Sequence, residues 1–223
     1  MHQYRKYCIY VKKITKNVIK NSLKRIFLYR ACLYKLKMMG MGRVFSYTIA
    51  EEAGVTADQV RKDFSEFGIK GNKRGGYLIT DLLEKMENIF YGNSEHNIIL
   101  VGMGNLGQAL SGYTMFAQRH MNVIAAFDID PLKFRIRHEI PVYPLSKLNE
   151  VIQCYKVKAA IITVPEISAQ QVCDELVKCG IKGIINFAPV LLKTPSDVII
   201  NNVNLCDELE SVIYYVDNPL KLR

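Results

Sequence analysis

Apolar positions over the first 90 residues recur at helical spacing, whereas from residue 97 onward they gather in short runs rich in Ile, Val and Ala. Between Lys24 and Met38, residues Ile26, Phe27, Leu28, Tyr29, Leu33, Tyr34 and Leu36 predict a helix with a buried face, stopped by Gly40 and Gly42. A second, short helix follows, with Ser46 as its N-cap, Ile49, Ala50 and Ala53 facing inward and Gly54 in the turn after it. A third opens at Thr56, where Thr56 and Gln59 read as a capping box. On a helical wheel Val60, Phe64 and Phe67 fall within about 60° of one another. Asp58, Arg61, Lys62 and Ser65 cover the opposite half.

Helix, glycine turn, helix is the helix-turn-helix order. The stretch GIKGNKRGGYLIT then predicts a β-hairpin from Ile69 to the strand-like Tyr77, Leu78 and Ile79, with Lys73 and Arg74 at a basic tip. Such a hairpin after a helix-turn-helix is a wing. The segment LLEKMENIFY predicts one further helix that closes the domain near Gly92.

The second pattern is different. NIILVG, NVIAAFD, KAAIITVP and IKGIINFAPV read as buried strands, and SAQQVCDELVKCG as a helix between the last two. Alternation of this kind predicts a parallel sheet with helices on both faces. Near the chain end Leu205, Leu209, Val212, Ile213 and Val216 form an apolar stripe at helical spacing, suited to a partner or to the sheet itself.

Charge sharpens this division. Residues 1–90 hold 18 Lys and Arg against 8 Asp and Glu, whereas residues 91–223 hold 12 against 13. All of the net charge of +9 therefore lies at one end, which points to a polyanion partner for that end alone. Nucleic acid and an anionic membrane surface both meet that description, and the helix-turn-helix with its wing favours duplex DNA. Arg61, Lys62 and Ser65 are then candidates for the major groove, and Lys73, Arg74 and Tyr77 for contacts from the wing. No run approaches the roughly 20 apolar residues that span a bilayer. The six cysteines, at 8, 32, 154, 173, 179 and 206, include no Cys-x-x-Cys pair, which fits reduced thiols in a cytoplasmic protein. A thiol switch at Cys173 and Cys179 is the alternative.

Between NIILV and the next helix stands GMGNLG, with Gly102, Gly104 and Gly107 in the G-x-G-x-x-G spacing. The first glycine permits the turn, the second lets backbone approach a pyrophosphate, and the third lets the helix pack on the strand. NVIAAFD ends on Asp128, 21 residues beyond Gly107. An acid there accepts both hydroxyls of an adenosine ribose, so NAD is favoured over NADP, with Lys133 and Arg135 close enough in sequence to offset the preference. About 25 residues follow Ile199, too few for a substrate domain. His96, His120 and His138 are scattered with no triad order or metal spacing, so no enzyme and no metal site is expected.

Taken together, GVTADQVRKDFSEFG, GNKRGGY, ILVGMGNLGQAL, VIAAFDIDP, ITVP and IINFAPV make the chain resemble the Rex family of redox-sensing transcriptional repressors, from about Lys24 to Val216. The resemblance implies a homodimer with winged-helix domains on operator DNA, Rossmann domains binding NADH or NAD⁺, and a swapped C-terminal helix. It implies that Gly102, Met103, Gly104, Asn105, Leu106 and Gly107 hold the pyrophosphate and Asp128 the ribose. Tyr113, Thr163 and Phe187 complete the cofactor site, Tyr113 and Phe187 near the nicotinamide. A coupling network of Arg25, Tyr113 and the residue at 204 is also implied, although Asn204 stands where the family commonly has Asp. The expected organisation is a basic arm over 1–22, a winged-helix domain over 23–91 (helix-turn-helix about 28–67, wing about 69–79), a Rossmann domain over 92–201 and a terminal helix over 202–223. A CoA- or nucleotide-binding accessory protein on the same glycine turn is the rival reading.

Overall fold

The computed structural model describes residues 21–70, 75–90, 92, 94–134 and 139–218. They fall into two compact units, one of Ile19–Ser94 and one holding Glu95–Arg223. The expected arm over 1–22 lies almost wholly outside the described residues.

In the first unit, α1 (Asn21–Met38), α2 (Ser46–Ala53), α3 (Ala57–Glu66) and α4 (Ile79–Phe90) enclose one core, and β1 (Arg43–Val44) pairs with β2 (Tyr77–Leu78). On α1 the buried residues Ile26, Tyr29, Leu33 and Leu36 recur every three or four positions, so one stripe meets Ile49, Val60, Phe64 and Met86 of the other helices. Buried Arg30 lies 5.4 Å from the ring centre of Phe27 and 5.0 Å from that of Phe90, a cation–π contact that ties α1 to α4.

Three local expectations need correction. Ser46 is the first residue of α2 and not its cap, since Phe45 holds the cap position with no side-chain bond. The Thr56 hydroxyl does accept the Gln59 N–H at 3.1 Å, but the Gln59 side chain turns away to Asp63, so only half of a capping box forms. Among the described residues the strand that pairs with Tyr77–Leu78 is not the stretch from Ile69: β2 pairs antiparallel with Arg43–Val44, and Ile79 already starts α4. Gly76 shows why the chain closes there: a Cβ on it would lie 2.6 Å from the Val44 carbonyl oxygen. The tip residues Lys73 and Arg74 are outside the described residues.

The second unit is a six-stranded parallel sheet of β3 (His96–Val101), β4 (Met121–Asp128), β5 (Val142–Pro144), β6 (Ala159–Ile162), β7 (Gly183–Asn186) and β8 (Ile199–Asn202). Its order is β5-β4-β3-β6-β7-β8, the doubly wound arrangement that reverses direction between β3 and β6. Alternate residues serve opposite faces: Ile99 and Val101 enter one core, Ile98 and Leu100 the other. The helices are α5 (Asn105–Ser111), α6 (Leu148–Cys154), α7 (Glu166–Lys178) and α8 (Leu205–Asp217). Cys173 of α7 is fully buried, and burial pushes its thiol up to about 11, so it is not a reactive partner for Cys179 as the thiol-switch alternative needed. No residue of α8 is buried, and its stripe Leu205, Leu209, Val212, Ile213 and Val216 is 50–71% exposed.

Candidate functional site

Four adjacent strands deliver residues to one edge of the sheet. Val101 of β3 pairs with Ile162 of β6, which pairs with Asn186 of β7, so Gly102, Thr163 and Phe187 each stand one residue past these strand ends. On the other side of β3, Asp128 is the last residue of β4. This is the carboxyl edge at the topological switch point, where doubly wound sheets bind ligands.

The glycines divide the work by steric need. Gly102 has φ +104°, a backbone region L residues avoid, and a Cβ there would lie 2.7 Å from the Thr163 carbonyl oxygen. A Cβ on Gly107 would come within 1.9 Å of the Gly102 carbonyl oxygen, so α5 lies directly on the turn. Gly104 differs, because its Cβ would meet nothing within 4 Å. The backbone at Gly104, at the N-terminus of α5, is thus open to a ligand, which is the shape a pyrophosphate needs. Thr163 secures the turn across the switch point by donating its hydroxyl to the Gly102 carbonyl at 2.8 Å. Asn105 is exposed and Leu106 half-buried beside it. The Met103 side chain is wholly in the core, so this residue serves the site through its backbone alone.

Asp128 is buried to 7% exposure yet well bonded. Its Oδ2 accepts the Met103 N–H at 2.7 Å and the Lys133 ammonium at 2.8 Å, and its Oδ1 accepts the Asp130 N–H at 2.9 Å. Burial alone would raise its pKa, but the Lys133 ion pair and the two backbone N–H groups outweigh burial and hold it below the usual carboxylate range. Lys133 is thus fixed on Asp128 and not merely near it in sequence. Tyr113 follows α5, is half exposed, and meets Phe116 edge-on at 5.2 Å. Phe187 is half-buried against the core face of Ile98 and Leu100.

In the first unit, α3 presents Arg61, Lys62 and Ser65 to solvent while Val60 and Phe64 are buried. Arg61 is already steadied from within, by an ion pair to Asp58 and a bond to the Ser46 hydroxyl at 2.9 Å. Tyr77 is half-buried and packs edge-on to Phe64 at 5.3 Å, so its ring belongs largely to the core.

Sequence reasoning missed Asp63. It sits on the inner side of α3, 1% exposed, and accepts four bonds: from Arg25 Nε at 2.6 Å and Nη2 at 2.7 Å, from the Tyr29 hydroxyl at 2.8 Å and from the Gln59 amide at 2.8 Å. Burial pushes the Asp63 carboxyl up, but these donors prevail and hold it low, while burial and the carboxylate raise Tyr29 to about 12. Arg25, implied in coupling, donates as a fork to Asp63 within its own unit. Asn204 likewise has a local task, capping α8 by accepting the Cys206 N–H at 3.1 Å.

Residues 17–65 match the family model described as a putative DNA-binding protein N-terminus, and residues 93–190 match the CoA binding domain model. The redox-sensing transcriptional repressor Rex of Leuconostoc citreum (strain KM20) is 37% identical over 196 residues, which is 87% of this chain and 91% of that protein. The Rex repressor of Lactobacillus acidophilus is 36% identical over 200 residues, 89% and 95% of the two chains. This chain belongs to the Rex family of redox-sensing transcriptional repressors. Among solved structures, the Rex-family repressor RSP is 34% identical with a TM-score of 0.82, covering 92% of this chain and 97% of its own. RSP has also been solved with NADH, at a TM-score of 0.82 and 92% and 99% coverage, and with NAD⁺ and operator DNA, at 0.84 and 92% and 95%. Rex relatives are repressors and not enzymes. Among the described residues no cluster of three or more His, Cys, Asp or Glu is placed to hold a metal, and no helix is long and apolar enough to cross a membrane.

For a Rex-family α3, the exposed Arg61 is the side chain with the reach and fork geometry to read a base edge. Arg61→Ala is expected to weaken operator binding by about 1–3 kcal/mol, roughly 5- to 150-fold, and a scrambled duplex far less. Equal losses on the two duplexes in a binding titration would reassign Arg61 to backbone contact.

Proposed function

We propose that this Rex-family chain is a cytoplasmic, homodimeric repressor that holds operator DNA through Arg61, Lys62 and Ser65, with Lys73 and Arg74 on the backbone, and lets go when NADH fills the edge built by Gly102, Gly104, Asn105, Leu106, Gly107, Asp128, Thr163 and Phe187. The observation that carries this reading is the pairing, in one chain, of a recognition helix with an outward basic face and a glycine turn open at Gly104 beside a carboxylate at the end of β4. The RSP complexes with NADH, and with NAD⁺ and operator DNA, support it.

Tyr113 and Phe187 stand nearest the nicotinamide in this reading, where the two cofactors differ by a hydride and one positive charge. Discrimination between NADH and NAD⁺ belongs there, and the glycines and Asp128 handle the parts common to both. Tyr113 is also the residue through which the ring state reaches the dimer. The unburied α8 supports a homodimer in which this helix, capped by Asn204, packs on the partner chain. The proposed organisation keeps the arm at 1–22, the winged-helix domain at 23–91, the Rossmann domain at 92–201 and the exchanged helix at 202–223.

The match of residues 93–190 to the CoA binding domain model is the observation that favours a second reading, a CoA site on the same turn. Titrating the full chain with NADH, NAD⁺ and CoA separates the two. Saturable binding of both nicotinamide nucleotides, undisturbed by CoA, is expected. Binding of CoA with neither nicotinamide nucleotide would replace the dinucleotide reading.

A further inference from the structure

The loop that carries Phe187 is held from within by the side chain that precedes it. Asn186, the last residue of β7, is wholly buried, where an amide is tolerated only if it is bonded. Its Oδ1 accepts the Ala188 N–H at 3.0 Å, and its Nδ2 donates to the Ala188 carbonyl at 3.1 Å, the Val190 carbonyl at 2.8 Å and Asn202 Oδ1 at 2.9 Å. At the far end of the loop Gln170 of α7 holds Lys193 in the same manner, accepting its N–H at 2.9 Å and donating to its carbonyl at 3.0 Å. Residues 187–193 are thus braced at both ends, so Phe187 shifts only together with its anchors.

Asn202 is the partner of Asn186 that lies outside this loop. It ends β8, stands in register with Asn186, and precedes Asn204, the cap of α8, by two residues. The Asn202 side chain is exposed, so core packing does not account for the bond. An amide nitrogen carries two protons, and here three acceptors share them. A bond strengthened on the loop side is weakened on the Asn202 side, and the reverse. One nitrogen therefore answers both to the setting of Phe187 and to the strand that enters α8.

Resting on the NADH-sensing reading above, we propose that Asn186 and Asn202 are positioning residues for that sensing, whose mutual bond ties the Phe187 loop at the nicotinamide edge to the root of α8. Neither residue touches DNA or needs to touch the nucleotide. Their bond sets how strongly occupancy of one end is felt at the other, by a route separate from Tyr113 after α5.

The test compares full-length wild type, Asn202→Ala and Asn202→Asp. Operator affinity is read by fluorescence anisotropy with and without saturating NADH, and NADH affinity by nicotinamide fluorescence without DNA. Asn202→Ala is expected to stay within about twofold of wild type in each separate affinity, while the weakening of operator binding by NADH shrinks at least about threefold. Asn202→Asp, which keeps an acceptor oxygen for the Asn186 amide, should restore it. Wild-type coupling in Asn202→Ala, or equal loss of coupling in both variants, would overturn the proposal. A loss of about tenfold or more in either separate affinity would also overturn it, by making Asn202 a merely structural residue. If NADH leaves the operator affinity of wild type unchanged, the sensing reading itself falls and the role of this pair with it.

Discussion

Gly104→Val is expected to abolish the response to both NADH and NAD⁺ while leaving the fold and operator binding unchanged. The three glycines of the turn are not equivalent in the structure. At Gly104 a Cβ meets nothing within 4 Å, so the side chain is added without strain, yet it projects at the N-terminus of α5, where a pyrophosphate must approach backbone. A loss of at least about a hundredfold in nucleotide affinity follows. Gly107→Ala is the contrasting case. Its Cβ would sit 1.9 Å from the Gly102 carbonyl oxygen, so α5 must move off the turn. A destabilisation of about 3 kcal/mol or more is expected, visible as a lowered thermal midpoint before any ligand is added. If Gly104→Val bound NADH like wild type, or if it alone lowered the midpoint, the assignment of the turn would be wrong.

The second large effect lies under α3, the proposed recognition helix. Asp63 has two bonds from Arg25 and one each from Tyr29 and Gln59, and it is 1% exposed. Removing Arg25 leaves a buried carboxylate without its countercharge, which is more damaging than never having had the pair. Arg25→Ala is expected to cost about 2–4 kcal/mol, somewhat below the usual figure for a buried pair because the Arg25 side chain is 28% exposed. Operator binding should fall with it, since α3 is the element that loses its anchor.

The same network predicts a pH dependence with a definite sign. Asp63 is held below its unfolded value, so its contribution is present above the unfolded carboxylate range near about 4 and disappears as pH falls through the lower folded value. Wild type should lose stability in acid more steeply than Asp63→Asn, which has no charge there to protonate. Parallel acid profiles for the two proteins would remove Asp63 from the account.

How far the sequence reveals this arrangement depends on how local each signal is. The β3 turn, Asp128 at the end of β4 and the outward face of α3 were legible because each rests on spacing within one element or two neighbouring ones. Of the small sheet only β2 was legible, at the strand-like Tyr77 and Leu78, since its partner β1 is two residues long and lies far away in the chain. Strands β5 and β8 were missed for a related reason, one being three residues long and the other half Asn.

Asp63 did leave a trace in the sequence. It falls with Val60, Phe64 and Phe67 at positions i+3, i+4 and i+7 of one stripe, and an acid on an apolar stripe demands a buried partner. That partner is Arg25, 38 residues earlier, a separation that no helical period can reveal. The ion pair between Asp128 and Lys133 shows the opposite limit. Its members are five residues apart, but whether the ammonium folds back onto the carboxylate depends on the path of the turn after β4.

The central claim is that the nicotinamide state and DNA oppose each other on this chain, which is a statement about coupling and not about either site alone. Operator affinity of the full-length protein, measured by fluorescence anisotropy with saturating NADH, with saturating NAD⁺ and with no nucleotide, tests it most directly. NADH is expected to weaken operator binding by about 5- to 150-fold, with NAD⁺ having little effect or supporting binding. Equal affinities under all three conditions would contradict the sensing mechanism and leave a DNA-binding protein with a structural dinucleotide.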